Sequence, residues 1–156
     1  MAAAGAAGAE EASGAAVTLR RIKASDTVGL REKVMWPGRP ELCSLPEDEV
    51  PEAVHLGAFA GEALVGVLSL FLPKEGVKGR AQYRKVAVDQ DWQGKGVGSA
   101  LVRAAVEAAQ SAGAAAIYCH ARAAKTEFYE RLGFARKGES FEKYGGHQYV
   151  EMERDL

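Results

Sequence analysis

Between the extended run Tyr83-Arg84-Lys85-Val86-Ala87-Val88 and a long helical pattern beginning near Ser99, the chain reads Gln93-Gly94-Lys95-Gly96-Val97-Gly98. A strand, a glycine-rich turn and a helix, in that order, form a cradle for phosphate. Glycine lets the backbone approach a ligand with no Cβ in the way. The first amides of the new helix have no partner inside it, and they point at whatever anion sits there. The open question is which phosphate compound such a cradle would hold.

Composition limits the answers. A chain of 156 residues, 47% hydrophobic and 26% charged, is ordinary for one globular domain. A net charge of −1 gives no general pull toward nucleic acid or an anionic membrane, so any anion site is local. Cys43 and Cys119 cannot make a disulfide framework and form no C-x-x-C. His55, His120 and His147 lack the spacing of metal ligands, so no metal is expected. No apolar run approaches the ~20 residues of a membrane span. The first basic residue is Arg20, and the N-terminus has no strong apolar core, which argues against a secretory or transit segment. A cytoplasmic setting is expected.

Residues 1–16 are small and of low complexity, and are expected to be disordered. The remaining 17–156 read as one α/β domain in the order β-α-β-β-β-α-β-α-β-β. Val17 to Lys23 is the first strand. Ser25-Asp26 caps a helix running to about Trp36, ended by Pro37, Gly38 and Pro40. Ala53 to Ala60 and Ala63 to Leu72 form a hairpin around Gly61-Glu62. Gln82 to Val88 leads into the glycine turn. Gly96 to Ala112 is amphipathic, with Leu101, Val102, Ala105 and Val106 opposite Arg103, Glu107 and Gln110. Ala115 to His120 is a strand, Thr126 to Leu132 a short helix, and Phe134 to Phe141 with Gln148 to Glu153 a last hairpin.

Register separates three phosphate loops. A Walker loop needs G-x-x-x-x-G-K-[ST], which is missing here. A dinucleotide fingerprint needs G-x-G-x-x-G. Counted from Gly94 its last glycine falls on Ser99, and counted from Gly96 on Leu101. The third pattern, Q-x-x-G-x-G at Gln93, Gly96 and Gly98, resembles the acetyl-CoA pyrophosphate loop of the GNAT superfamily of N-acetyltransferases. Downstream, Phe128-Tyr129-Glu130-Arg131-Leu132-Gly133-Phe134 is similar to that family's F-Y-x-x-x-G-F segment. The strand order is also similar, and the likeness extends over Val17 to Leu156. Leu30 to Pro40 and Ala121 to Tyr129 resemble a branch of small bacterial-type and plant-type members with no settled substrate.

The resemblance implies a GNAT acyl-CoA N-acyltransferase fold, a mixed and mostly antiparallel sheet of about seven strands with flanking helices. It implies acetyl-CoA as cosubstrate, held by the backbone of Gln93, Gly94, Lys95, Gly96, Val97, Gly98 and Ser99, with Lys95 adding charge. Val86, Ala87 and Val88 would pair with the pantetheine arm where family sheets splay, an amide near Val86 polarising the thioester carbonyl. Tyr129 matches the tyrosine that protonates the departing thiolate. The strand glutamate that serves many members as general base falls at Gln82, which cannot take a proton. His120 is the candidate for the base, ahead of His147 and Glu142, although a lone histidine at a strand end more often serves the structure and an amine that arrives partly neutral needs no base. Arg122 stands where relatives carry an asparagine; it and Lys125 would reach CoA phosphates or an acidic substrate, or only solvate a helix start. Acceptor choice is expected from Arg31, Trp36, Arg39 and the last hairpin, although Trp36 reads more readily as a core anchor than as a pocket wall.

The expected activity is transfer of the acetyl group from acetyl-CoA to a primary amine by direct attack in a ternary complex. The acceptor would be a small molecule or a peptide. No nucleic-acid or membrane partner is expected, and a homodimer is compatible with the sequence. The alternative is a GNAT-fold module that binds acyl-CoA without transfer, for which Gln82 is the sequence support.

Overall fold

The computed structural model describes residues 8–12, 15–143 and 146–156. They form one eight-stranded sheet flanked by helices. The strands are β1 (Gly8–Ala12), β2 (Ala15–Ile22), β3 (Ala53–Ala60), β4 (Ala63–Phe71), β5 (Arg80–Val88), β6 (Ala116–Arg122), β7 (Ala135–Lys143) and β8 (His147–Asp155). Their order across the sheet is β1-β2-β3-β4-β5-β6-β8-β7. Every neighbouring pair is antiparallel except β5 and β6. That parallel step needs a crossover, and the crossover is helix α2 (Val97–Ser111).

Seven strands follow the sequence expectation. The eighth, β1, corrects it: Gly8–Ala12 lies in the segment expected to be disordered, yet pairs with β2 from Gly8↔Leu19 to Ala12↔Ala15. Strand pairing satisfies backbone amides and carbonyls whatever the side chains are, so a low-complexity run can extend an edge. Residues 1–7 lie outside the described residues, as does Gly145 of the Gly145-Gly146 turn expected in the last hairpin.

The two central strands explain the layers. β3 and β4 are each buried over six consecutive residues, the mark of strands covered on both faces. On one face α2 packs Ala100, Leu101, Ala105 and Ala109 into the main core, all fully buried. Its outer positions Arg103, Glu107 and Gln110 are exposed, as the helical period requires. The helix lies close because β4 carries Gly66 beneath it; a Cβ there would sit 3.0 Å from Val97 and 3.1 Å from Leu101. On the other face Leu30, Val67 and Ala87 form a second cluster with Val34 and Met35.

That second face is covered by the first helical segment: a 3-10 turn Ala24–Thr27, one α turn α1 (Val28–Leu30) and a π-helical turn Arg31–Met35. Its cap is Lys23, whose amide donates to Asp26 Oδ2 at 2.9 Å. A short helix α3 (Thr126–Arg131) follows β6. β7 is a mostly exposed edge carrying Arg136, Lys137, Glu139, Glu142 and Lys143, charges that discourage edge pairing with another chain.

Candidate active site

β5 and β6 pair at only three positions, Arg80↔Ala116, Ala81↔Ile117 and Gln82↔Tyr118. Beyond these the strands part, so the sheet has a wedge-shaped opening in its middle. Across β5 the register with β4 moves from Ser69↔Arg84 to Val67↔Ala87, so Lys85 and Val86 face Leu68 alone. This is a β-bulge. Lys85 sits at φ 59, the only non-glycine residue with positive φ among the described residues. Its Nζ lies 4.4 Å from the centre of the Trp36 ring, a cation–π contact. The bulge breaks the regular β4–β5 ladder at the edge of the opening.

At the end of β5 the glycine turn starts α2. Gln93 is spent on its own loop: Nε2 donates to the Val88 carbonyl at 2.9 Å. Gly94 and Gly96 take φ 76 and 85, a left-handed conformation that a β-carbon disfavours. Val97 turns its side chain into the core, 1% exposed. Backbone is therefore presented at Val97 and Gly98, and the Val97, Gly98 and Ser99 amides lack helical acceptors. Gly98 stands within 4 Å of where both Phe128 and Val88 side chains would meet a Cβ, so α2, α3 and the end of β5 converge on one side of the opening. A cradle of this kind, with amides forward and side chains turned away, fits a pyrophosphate.

Tyr129 sits on that convergence. It is half-buried among Phe128, Tyr83 and Phe134, with ring centres 5.0, 6.5 and 6.4 Å away. Burial, with help from Cys119, pushes its hydroxyl up to about 12, so it carries its proton at neutral pH. Tyr83, 3% exposed, has a buried hydroxyl with no group among the described residues in hydrogen-bond geometry. It lies beside the Tyr129 hydroxyl and the Cys119 thiol, close enough to lower the pKa of each, although neither reaches it in good hydrogen-bond geometry. Cys119 is buried and its thiol is pushed up to about 12 by desolvation, which leaves it a poor nucleophile.

On the other side of the opening is a cavity of about 470 Å³, lined by Trp36, Gln82, Tyr83, Arg84, His120 and Lys143 among others. His120 is held on three sides. Lys143 Nζ donates to Nδ1 at 3.1 Å, Glu151 Oε1 lies 3.6 Å from Nε2, and Phe141 packs edge-on at 5.1 Å. These partners favour a neutral ring protonated at Nε2. Burial first and the Lys143 charge second lower its pKa.

Comparison with known proteins places this geometry. Residues 21–134 match the model of the Acetyltransferase (GNAT) family. The chain belongs to the GNAT family. Its activity is acyl transfer. An uncharacterised N-acetyltransferase of Bacillus subtilis (strain 168), YitI, is 25% identical over 142 residues, covering 88% of this chain and 95% of that protein. An acyl-CoA N-acyltransferase from Pseudomonas aeruginosa superposes with a TM-score of 0.73 at 22% identity, over 88% of this chain and 99% of the other. A Bacillus subtilis acetyltransferase in complex with CoA gives 0.68 at 20% identity, over 90% and 99%. Both share the fold.

Within this GNAT domain the expected residues divide between the two sides of the opening. The Gln93–Ser99 loop, Val88 and Tyr129 lie on one side, His120 on the other, and Val86 at the bulge between them. Ala87 is 1% exposed and packs into the second core cluster, so its backbone alone is available. Lys95 is exposed on the loop. Gln82 borders the cavity and accepts from the Tyr118 hydroxyl at 3.2 Å.

Three expectations are corrected. Arg31 cannot touch an acceptor: it is fully buried, bonded to Asp48, Ser69 and the Cys43 carbonyl. Trp36 is a half-buried cavity wall, not a core anchor, because the chain turns at Pro37 before it can insert. Arg39 pairs with Glu41 at the surface, outside the cavity. Tyr83, Lys143 and Glu151 were not singled out from the sequence. Each gains its role from pairing across the sheet: His120 lies opposite Glu151 on β8, a register that alternation alone does not fix. No group of metal-ligating side chains occurs among the described residues, and no helix there is long and apolar enough to cross a membrane.

Proposed function

We propose that this chain transfers the acetyl group of acetyl-CoA to a primary amine by direct attack within a ternary complex. The carrying observation is the opening between β5 and β6, which has an anion cradle and a protonated tyrosine on one side and an amine-sized cavity with a neutral histidine on the other. The backbone of Gly94 to Ser99 would hold the CoA pyrophosphate, and the main chain at the bulge, around Val86, would face the thioester. His120 takes a proton from the incoming ammonium. The amine nitrogen then bonds to the carbonyl carbon, and an amide at the bulge steadies the oxyanion. The carbon–sulfur bond breaks as Tyr129 protonates the departing thiolate. The second proton, released by the new amide nitrogen, restores Tyr129 through solvent, while His120 gives its proton to water. Neither cysteine is suited to carry the acetyl group: Cys43 is fully buried, and both thiols are pushed up by burial.

The test is Tyr129→Phe assayed with acetyl-CoA and an amine panel. Loss of the acid is expected to lower kcat by about 10²-fold or more, with CoA affinity within about twofold by calorimetry. Unchanged kcat removes Tyr129 from the reaction.

A further inference from the structure

Taking the cavity as the acceptor site of the proposed transferase, we infer that the acceptor amine carries a second group that is anionic, a carboxylate or a phosphate. Four cations, Arg84, Lys85, Arg122 and Lys143, line this cavity, and no aspartate or glutamate is among its lining residues. The carboxylates behind the wall are already engaged. Glu47 pairs with Arg84 and offsets its charge, so Arg84 adds little to the field, which comes from the other cations, Arg122 above all. Glu151, which faces His120, is held by Arg80 at 2.6 Å. Arg122 has no carboxylate within ion-pair distance among the described residues; its contact is the Tyr149 hydroxyl, 3.4 Å from Nε.

Position strengthens the count. Arg122 at the end of β6 and Lys143 at the end of β7 both lie over the Tyr149 ring, 5.9 and 5.7 Å from its centre. Two like charges on one small ring at the mouth of a partly desolvated cavity repel each other, and a bound anion relieves that repulsion. A polycation would meet the same field with the opposite sign. The cavity volume of about 470 Å³ suits a molecule of amino-acid size.

The anion also has a consequence for the base. Lys143 occupies the His120 Nδ1 lone pair at 3.1 Å. An anion that pairs with Lys143 beside Arg122 draws the ammonium off that nitrogen. The lone pair is then open to the acceptor's own ammonium. A neutral amine cannot make this exchange.

Matched acceptors test the inference: phenylalanine against phenylalaninamide, and phosphoethanolamine against ethanolamine, with acetyl-CoA. One anionic member is expected to show a kcat/KM at least about tenfold above its neutral partner. Which pair shows the preference separates carboxylate from phosphate. Arg122→Glu is expected to erase it, and Arg122→Gln to weaken it. In parallel, calorimetry on the CoA-bound protein compares N-acetylphenylalanine with its amide and N-acetylated phosphoethanolamine with N-acetylethanolamine. Equal transfer to charged and neutral amines, indifferent to Arg122→Glu, overturns the inference and leaves the transferase standing. Anion-selective binding lost in Arg122→Glu, without transfer to any amine, supports the inference and sinks the transferase. Neither transfer nor selective binding overturns both.

Discussion

Tyr83 has a hydroxyl buried without a hydrogen bond, an arrangement that costs about 1–3 kcal/mol. On the proposed mechanism its position beside Tyr129 would give that cost a use: the hydroxyl would donate to Tyr129 once that group had given up its proton. Tyr83→Phe is therefore expected to stabilise the fold by about 1 kcal/mol in urea denaturation while lowering kcat. A variant that is less stable, or stable and fully active, contradicts the assignment. His120 gives a pH signature. Burial holds its folded pKa below the ordinary histidine value of 6.5, so the neutral ring that the proposed base requires is present from below that pH upward. kcat/KM is expected to rise with pH through a midpoint below 6.5, and His120→Gln to remove that limb. The stability sign follows: as pH falls below 6.5 the unfolded chain takes up the proton first, so His120 weakens the fold on the acid side. The short helix that carries Tyr129 was legible because its neighbours in F-Y-E-R-L-G-F are local. Tyr83 was not, because its significance comes from Cys119 and Tyr129, brought to it from β6 and α3.

At the scale of elements, the first helical segment is held by a buried ionic pin. Arg31 bonds Asp48 Oδ2 at 2.7 Å and Ser69 Oγ at 2.7 Å, and Ser69 Oγ in turn meets His55 Nδ1 at 2.7 Å. Burial works to raise the Asp48 carboxyl pKa, but the Arg31 and Leu45 hydrogen bonds outweigh it and hold it low. Asp48→Ala leaves a guanidinium buried and unpaired and is expected to cost about 3–5 kcal/mol, read as a lower urea midpoint at unchanged slope. A loss below about 1 kcal/mol means the pair is not the pin. Arg31 was misread as an acceptor contact because its partner lies 17 positions along in a loop, beyond the reach of any helical pattern. The glycine turn was the reverse case. Gly94 and Gly96 stand at φ 76 and 85, and a backbone that needs such angles writes the need into the sequence.

For the whole molecule, the decisive feature is where the sheet comes apart. The α/β order was readable from strand and helix periods, but the parting of β5 from β6 after three pairs was not. It depends on the bulge at Lys85 and on β6 turning to pair with β8 along its whole length, from Ala116↔Asp155 to Arg122↔Tyr149. β1 escaped notice for a related reason, since edge pairing uses backbone and leaves little mark on composition. The parting sets a cradle and a cavity back to back, the arrangement that a two-substrate transfer requires. Its most direct test is thiol release from acetyl-CoA by the wild-type chain across the amine panel, with mass spectrometry of the products. Amine-dependent release, with one N-acetylated amine formed per thiol, is the predicted result. Tight CoA binding with no thiol released by any amine would contradict it and leave a module that only binds acyl-CoA.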